Sequence, residues 1–269
     1  MGLRWAGVRR VRGQVRKRLG RRLAALGLDD LAAYRAHLER HPDEWRVLDG
    51  LCRIPISRFF RDREVFAHLG RAVMPELARA AAARGATRLR CWSAGCASGE
   101  EPYGLSLAWA FEAAARSPRL DLEIAATDAD PHLIERARAA RYAAASLKDL
   151  PPGWRDRAFD AGDGGFVLRP EFRVPVGLDC QDIRAQAPPG RFDLLLCRNM
   201  AFTYFVESEQ RAVLRRLTGA LVGGGALVVG AHERLPEGAH ELAPWEVALG
   251  VHRKAAACGP SQKVTVAGE

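Results

Sequence analysis

The stretch from Cys91 to Tyr103 carries two carboxylates where a strand is predicted to give way to a helix. Its sequence is Cys-Trp-Ser-Ala-Gly-Cys-Ala-Ser-Gly-Glu-Glu-Pro-Tyr. Open α/β sheets bind ligands at this point, and a glycine such as Gly95 lets the backbone approach them closely. The spacing matches neither a dinucleotide loop nor a phosphate loop. Glu100 and Glu101 would repel a pyrophosphate, so the pattern favours a cofactor with a cationic amino or sulfonium group. The alternative is a glycine turn that only packs the helix on the strand.

A second pair of carboxylates follows the next predicted strand, in the sequence Ala-Thr-Asp-Ala-Asp from Ala126 to Asp130. A carboxylate at this point can accept hydrogen bonds from both hydroxyls of a ribose. Aspartate is also a common helix N-cap, above all when proline opens the helix, and Pro131 follows Asp130. We therefore assign the ribose to Asp128 and the cap to Asp130.

The sequence predicts no metal centre and no nucleophilic triad. It contains neither an H-E-x-x-H spacing nor a G-x-S-x-G elbow, and we interpret the pair His232-Glu233 as structural. Without a C-x-x-C pair, the cysteines indicate reduced thiols, not a disulfide framework or a zinc cluster. The six cysteines are Cys52, Cys91, Cys96, Cys180, Cys197 and Cys258.

Positive charge is concentrated in residues 1–28, which we call the basic leader. The chain has 269 residues, 48% hydrophobic and 27% charged, as in ordinary globular proteins, and a net charge of +9. Outside the leader, 32 basic residues balance 32 acidic ones, while the leader contains no acidic residue. Its field attracts an anionic partner: nucleic acid, anionic lipid or an acidic protein surface. The nine basic residues are Arg4, Arg9, Arg10, Arg12, Arg16, Lys17, Arg18, Arg21 and Arg22.

The hydropathy of the sequence indicates where in the cell the protein is expected. No run of 18 apolar residues predicts a transmembrane helix, and the leader lacks the apolar core of a secretory signal, so we expect a cytoplasmic protein. Trp5 is the single aromatic residue of the leader, which has no motif that reads nucleic acid. We therefore expect no nucleic-acid partner, and we expect a monomer. Nucleic-acid binding through the leader is the alternative from a different functional class.

Helices are predicted for roughly the first 80 residues, because apolar residues recur at spacings of three and four. One helix would carry the stripe from Val8 to Leu26 and end at Gly27, and Asp29 or Asp30 would cap the next. A further helix would follow an extended link at 54–57 and present four apolar side chains: Phe59, Phe60, Phe66 and Leu69.

Beyond residue 87 strands alternate with helices, which predicts a doubly wound, mostly parallel α/β sheet. We expect strands at 88–93, 122–127, 192–197 and 226–229, the third buried on both faces. We expect helices up to 115, at 131–141 and at 208–221. The Gly- and Pro-rich region 153–177 predicts a small antiparallel β insertion, with pieces at 166–169 and 172–176. The predicted division is a helical domain at 1–82 and a sheet domain at 83–269.

Five motifs, taken in order, resemble one family. They are Pro-Ile-Ser-Arg-Phe-Phe-Arg-Asp (55–62), the stretch 92–103, Ala-Thr-Asp-Ala-Asp (126–130), Leu-Cys-Arg-Asn (196–199) and Tyr-Phe (204–205). Together they resemble the CheR-type chemoreceptor glutamate methyltransferases, over about residues 8–252. The resemblance implies a Rossmann-like methyltransferase fold, the cofactor S-adenosylmethionine and, as partner and substrate, the acidic helices of a chemoreceptor.

The resemblance also implies the roles of individual residues. Glu101 would contact the methionine part of the cofactor, Asp128 the ribose, and Asp182 with Ile183 the adenine. Tyr204 would lie near the transferred methyl group. Cofactor-binding positions are then Ser57, Arg61, Gly95, Glu101, Asp128, Asp182, Ile183, Arg198 and Asn199, and catalytic positions are Arg61 and Tyr204.

Two departures from the family pattern concern the substrate side. Pro55 stands where the family often has Asn, which removes a polar contact. The stretch between Asn199 and Tyr204 is one residue longer than in the family, so the register of Tyr204 stays open. A divergent member could methylate carboxyl groups of a non-receptor protein or of a small molecule.

Overall fold

The computed structural model of the chain describes residues 2–9, 11–54, 57–117 and 119–256. Three features of the sequence lie outside these ranges: Arg10 of the leader, residues 55 and 56 of the link, with the Pro55 departure, and Cys258.

The described strands are short and follow one another through the second part of the chain. They are β1 (Arg88–Ala94), β2 (Asp121–Asp128), β3 (Arg141–Tyr142), β4 (Phe159–Gly162), β5 (Gly165–Leu168), β6 (Val176–Cys180), β7 (Phe192–Cys197), β8 (Leu221–Val229), β9 (Leu242–Glu246) and β10 (Val251–Lys254).

The described helices flank the sheet and build the first part of the chain. They are α1 (Trp5–Arg9), α2 (Arg12–Leu26), α3 (Leu31–Arg40), α4 (Glu44–Cys52), α5 (Arg63–His68), α6 (Met74–Ala83), α7 (Glu100–Ala108), α8 (Pro131–Ala139), α9 (Trp154–Ala158), α10 (Ala201–Tyr204) and α11 (Glu207–Ala220). A π-helical turn joins α5 to α6, and another extends α7. None of these helices combines the length and the hydropathy needed to cross a bilayer.

Seven strands form the main sheet, in the order β6-β2-β1-β7-β8-β10-β9. The strands from β6 to β8 are parallel, and β10 and β9 close one edge in antiparallel pairing. Every residue of β7 is buried, as its continuous apolar run predicts. The prediction of a doubly wound α/β sheet is confirmed, but β6, β9 and β10 were not predicted and β8 begins five residues early, at Leu221.

The small antiparallel sheet differs in detail from the predicted insertion. Its order is β3-β5-β4, so the strand β3 comes from before residue 153. The piece predicted at 172–176 is wrong. Pro170–Phe172 forms a 3₁₀ turn, and Val176 opens β6 of the main sheet. Proline lacks the N–H that a strand ladder needs, and Phe172 turns inward to contact Phe111 at a centroid distance of 5.3 Å.

The first helices also correct the prediction. The stripe from Val8 to Leu26 is carried by α1 and α2, because the backbone leaves the helical region at Val11 (φ −116°, ψ 12°). Gly27 ends α2 in the left-handed region, and the Asp30 side chain caps α3 by accepting from the Ala33 N–H, both as predicted.

Phe59 and Phe60 precede α5 instead of lying on it. Phe59 contacts Tyr142 edge-on at 4.8 Å, and Phe60 packs on Phe66 at 4.7 Å. The Phe59 N–H donates to the Ser146 carbonyl at 3.0 Å. These contacts fix the turn that follows, which carries Arg61.

The division into two domains at residue 82 stays a prediction. The helix α6, which ends at Ala83, packs in the same hydrophobic core as the strands β1 and β7.

Candidate active site

The turn between β1 and α7 is held against the end of β2. The N–H groups of Gly95 and Cys96 both donate to the Thr127 carbonyl, at 2.8 and 2.9 Å. Gly95 has φ +79°, and a Cβ there would lie 2.7 Å from the Met200 side chain. Glycine adopts this backbone conformation without strain, and its missing Cβ leaves room for the Met200 side chain beside the strand ends.

Asp128 ends β2 and faces this turn. Its Oδ2 accepts the Ala97 N–H at 2.9 Å and its Oδ1 accepts the Asp130 N–H at 3.0 Å. Burial raises the pKa of Asp128 although both donors favour the ionised form. Each oxygen keeps a lone pair for a further donor. Asp130 caps α8 by accepting the His132 N–H at 2.9 Å, which confirms the predicted cap.

Glu101 lies at the start of α7, with its two oxygens bound to different elements. The Ser93 hydroxyl donates to Oε1 at 2.8 Å, and Arg198 donates to Oε2 at 3.2 Å. Burial raises the pKa of Glu101, against the opposing effect of Arg198, Ser93 and Arg61. The neighbouring Glu100 is 3% exposed and bonds the Ser98 hydroxyl instead. The two glutamates therefore have different environments: Glu101 is paired with Arg198, and the charge of Arg61 also favours its ionised form.

Arg198 joins three elements at the centre of the site. Its side chain is 2% exposed. Besides Glu101, it donates to the Asp62 carboxylate at 2.6 Å and to the Arg61 carbonyl at 3.2 Å, and it lies over the Phe66 ring. Because a buried guanidinium needs partners, this arrangement fixes the end of β7 against α7 and the turn before α5.

Arg61 lies in a turn whose backbone conformation is unusual. Phe60 and Asp62, on either side, have positive φ values of 54° and 62°. Non-glycine residues seldom adopt this region, and here the aromatic packing and the Arg198–Asp62 ion pair compensate for the cost. Arg61 is half-buried, and its positive charge favours the ionised form of Glu101. Ser57, four residues earlier, is half-buried and makes no side-chain hydrogen bond within the described residues.

Asp182 and Ile183 follow β6. Ile183 is buried, and Asp182 accepts the backbone N–H and the guanidinium of Arg184, at 2.8 and 2.7 Å. Although burial opposes it, these bonds and the charges of Arg184 and Arg53 hold the pKa of Asp182 below its ordinary value. Arg184 also donates to Asp49 of α4, at 2.9 Å. The loop after β6 is thereby tied to the N-terminal helices.

Asn199 directly follows β7 in the left-handed region, at φ 55°. Its N–H donates to Glu233 Oε2 at 2.7 Å, and the Gly230 N–H donates to the same oxygen at 2.8 Å. The Thr203 hydroxyl donates to Glu233 Oε1 at 2.7 Å. Glu233 therefore fixes the backbone after β7, as the structural interpretation of His232-Glu233 predicts.

Tyr204 is the last residue of the single-turn helix α10 and is half-buried. Its carbonyl accepts the Arg4 N–H at 2.7 Å. The following Phe205 is buried and lies under the guanidinium groups of Arg53 and Arg184, at 5.8 and 5.4 Å from the ring centroid.

Neighbouring strand ends bring most predicted site residues to one edge of the sheet. The strands β2, β1 and β7 are adjacent, and Asp128, Glu101 and Asn199 stand at or just beyond their carboxyl ends. Two carboxylates with free lone pairs, beside the turn at Gly95, fit a ligand that is cationic at one end and carries hydroxyl groups. The sequence did not predict five further residues that bind around the site: Ser93, Asp62, Asp49, Arg53 and Arg184. Ser93 and Asp62 carried a signal, since they lie in the 92–103 and 55–62 motifs.

Comparisons with known proteins show the family of the chain. The family model described as "CheR methyltransferase, SAM binding domain" matches residues 56–248, and "CheR methyltransferase, all-alpha domain" matches residues 11–48.

Three similar proteins come from bacteria. An "Uncharacterized 104.1 kDa protein in hypE 3'region" of Rhodobacter capsulatus is 38% identical over 83% of this chain and 23% of its own length. "Chemotaxis protein methyltransferase 1" of Pseudomonas aeruginosa is 37% identical over 66% of this chain and 65% of its own. The "Chemotaxis protein methyltransferase" of Escherichia coli is 33% identical over 82% of this chain and 76% of its own length. The chain thus spans less than two thirds of the length of the first two relatives.

Proposed function

Because the chain belongs to the CheR methyltransferase family, we propose that it transfers a methyl group from S-adenosylmethionine to glutamate carboxylates of a protein. The product is a glutamyl methyl ester, and the protein substrate is a methyl-accepting chemoreceptor. The observation that carries this proposal is the position of Glu101 and Asp128 beyond the carboxyl ends of β1 and β2, with Arg198 joining Glu101 to the turn that carries Arg61.

The chain's own residues account for binding of the cofactor. Glu101 would hold its amino group, and the two free lone pairs of Asp128 would accept the ribose hydroxyls. Ile183 offers an apolar surface to the adenine, beside Asp182. The turn at Gly95, together with Ser57, Arg198 and Asn199, would complete the cleft. When bound, S-adenosylmethionine supplies a methyl group on a positively charged sulfur.

The acceptor requires no general base. A glutamate carboxylate is already ionised at pH 7, so it can attack without losing a proton. Opposite charges are neutralised in the reaction, and a site that excludes water favours this over bulk solvent. The chain then has to align the reactants, which contributes much of the rate in such reactions.

Arg61 is the group best suited to align a carboxylate. A guanidinium beside a sulfonium would be repelled, but it can bind a carboxylate through two parallel hydrogen bonds. That carboxylate belongs to the substrate or to the methionine part of the cofactor. Tyr204, on α10, would lie on the substrate side, near the transferred methyl.

The basic leader supports an acidic helical substrate. Three of its charges are used within the chain: Arg4 and Arg18 donate to backbone carbonyls, and Arg22 pairs with Glu44 at 2.6 Å. Five others are exposed and have no partner among the described residues: Arg9, Arg12, Arg16, Lys17 and Arg21. A cluster of unpaired charges attracts acidic surfaces over several ångströms and raises association rates.

Transfer of labelled methyl groups into cell extract tests the function. The protein is incubated with extract and methyl-tritiated S-adenosylmethionine, and the macromolecular and small-molecule fractions are treated with base. We expect label in membrane-associated receptor protein that base releases as methanol, which identifies an ester. Base-labile label in a small molecule or a non-receptor protein would instead support the divergent alternative. Label that base does not release would contradict carboxyl methylation.

A further inference from the structure

A short segment before both family matches packs against the helix that carries Tyr204. We call residues 2–7 the strap; the family matches begin at residue 11. The Val206 N–H donates to the Gly2 carbonyl at 2.8 Å, and the Arg4 N–H donates to the Tyr204 carbonyl at 2.7 Å. Leu3 pairs with Phe205 in an antiparallel bridge. The strap therefore pairs, as a β-strand would, with the residues that follow α10.

The Arg4 side chain closes the end of α10. Its Nε donates to the Thr203 carbonyl at 2.8 Å and its Nη2 to the Phe202 carbonyl at 2.6 Å. Carbonyls in the last turn of a helix have no partner inside it, and a cation there is favourable. Gln210 also donates to the Phe202 carbonyl, at 3.4 Å, and to the Phe205 carbonyl, at 2.8 Å, so Arg4 and Gln210 together bind the carbonyls at this end of α10.

Gly7 permits the close approach of the strap. A Cβ at this position would lie 2.3 Å from the Thr203 carbonyl oxygen. On the opposite side, the Thr203 hydroxyl is bound by Glu233. Thr203, next to Tyr204, is thus held from two directions, by the strap and by the Glu233 carboxylate.

We propose that Arg4 is a positioning residue of the transfer reaction, which acts by fixing α10 and hence Tyr204. The proposal rests on the proposed function and extends it to a segment that neither family match covers. The groups expected to hold the cofactor, Glu101 and Asp128, are bound by other elements. Loss of Arg4 should therefore slow transfer and leave the affinity for S-adenosylmethionine intact.

Two variants and one control test the role of Arg4. Arg4→Ala removes both bonds, and Arg4→Lys keeps the charge but can bind only one carbonyl well. Arg40→Ala is the matched control, because Arg40 also donates to a helix carbonyl, that of Ala36 at 3.1 Å in α3, away from α10. The readouts are kcat with a purified receptor cytoplasmic fragment, Kd for S-adenosylmethionine by calorimetry, and hydrogen exchange of the amides at 203–206.

We expect Arg4→Ala to lower kcat by about tenfold or more, because small misplacements of catalytic groups are costly, and to speed exchange at 203–206. Kd should stay within about twofold, Arg4→Lys should recover part of kcat, and Arg40→Ala should match the wild type. Unchanged kcat or unchanged exchange in Arg4→Ala would overturn the proposal, as would an equal loss of cofactor binding. If the wild type itself transfers no methyl group, the proposed function fails, and the exchange measurement alone decides whether Arg4 holds α10.

Discussion

At the scale of single residues, the site depends on carboxylates whose environments differ although their sequence context is similar. Glu100 and Glu101 are adjacent, yet only Glu101 meets Arg198. Asp128 and Asp130 are two residues apart, yet only Asp130 caps a helix. The sequence predicted the cap at Asp130 correctly, and the cofactor roles of Glu101 and Asp128 stay predictions. It could not predict the pairing of Arg198 with Glu101 and Asp62, because these three residues come from segments far apart in the chain.

We expect Asp128→Ala to weaken binding of S-adenosylmethionine by about 1–3 kcal/mol, since ribose hydroxyls would lose their acceptor inside the cleft. The measurement is titration calorimetry on the folded variant. Asp130→Ala is the control: it removes the cap of α8, at a cost of about 1 kcal/mol in stability, without touching the proposed ribose site. Equal affinity of Asp128→Ala and wild type would remove Asp128 from the site.

Glu101 should make cofactor binding sensitive to acid. Burial raises the pKa of this carboxyl, and the carboxylate is the form that would bind a cationic amino group. As pH falls through the raised pKa, the group becomes neutral and affinity is lost, at a higher pH than for an ordinary glutamate. Calorimetry from neutral pH downward measures this. Glu101→Gln should bind S-adenosylmethionine weakly at neutral pH, and its affinity should depend less on pH than that of the wild type. The same pH dependence of affinity in variant and wild type would contradict the role assigned to Glu101.

At the scale of elements, continuous or strongly periodic patterns were predictive and short irregular ones were not. The apolar run of β7 and the stop at Gly27 were predicted correctly. The edge strand β9 and its neighbour β10 were missed, because both are short and contain polar residues, and an edge strand tolerates even proline. The turn at Phe60 was predicted as helix, because its positive φ depends on packing against distant aromatic residues and leaves no local pattern.

The turn from Phe60 to Asp62 should depend on its ion pair. Asp62→Ala leaves the buried Arg198 with one carboxylate fewer, so we expect a loss of about 1–3 kcal/mol in the free energy of unfolding. Urea denaturation measures it. Asp160→Ala, which removes an exposed partner of Arg169, serves as control and should cost at most about 1 kcal/mol. Equal losses in the two variants would indicate that the Arg198 pair does not stabilise the turn.

At the scale of the whole molecule, the N-terminal helices and the sheet meet around the site. Asp49 of α4, Arg184 and Asp182 form one network beside Phe205. Charge counting located the basic leader but could not tell which charges are free. Arg22 is paired with the buried Glu44, so a charge reversal there would disrupt packing and not only the external field.

The exposed charges of the leader should govern encounter with the substrate. We expect the triple change of Arg12, Arg16 and Lys17 to Glu to raise the KM for a receptor fragment and to flatten the dependence of rate on salt. Affinity for S-adenosylmethionine should not change. Steady-state kinetics between about 50 and 300 mM salt measure this, because screening removes long-range attraction over that range. If both the KM and the salt dependence are unchanged, the exposed charges of the leader do not attract the substrate, and the leader only packs against the rest of the chain.

The position of the transferred methyl group decides whether the protein is a glutamate methyltransferase. A purified receptor cytoplasmic fragment is incubated with the protein and S-adenosylmethionine, digested and sequenced by tandem mass spectrometry. We expect one added methyl group per modified glutamate side chain, lost after mild base, and almost none with Asp128→Ala at limiting cofactor. Methyl groups on any other residue type, or on no residue while the protein binds S-adenosylmethionine, would contradict it.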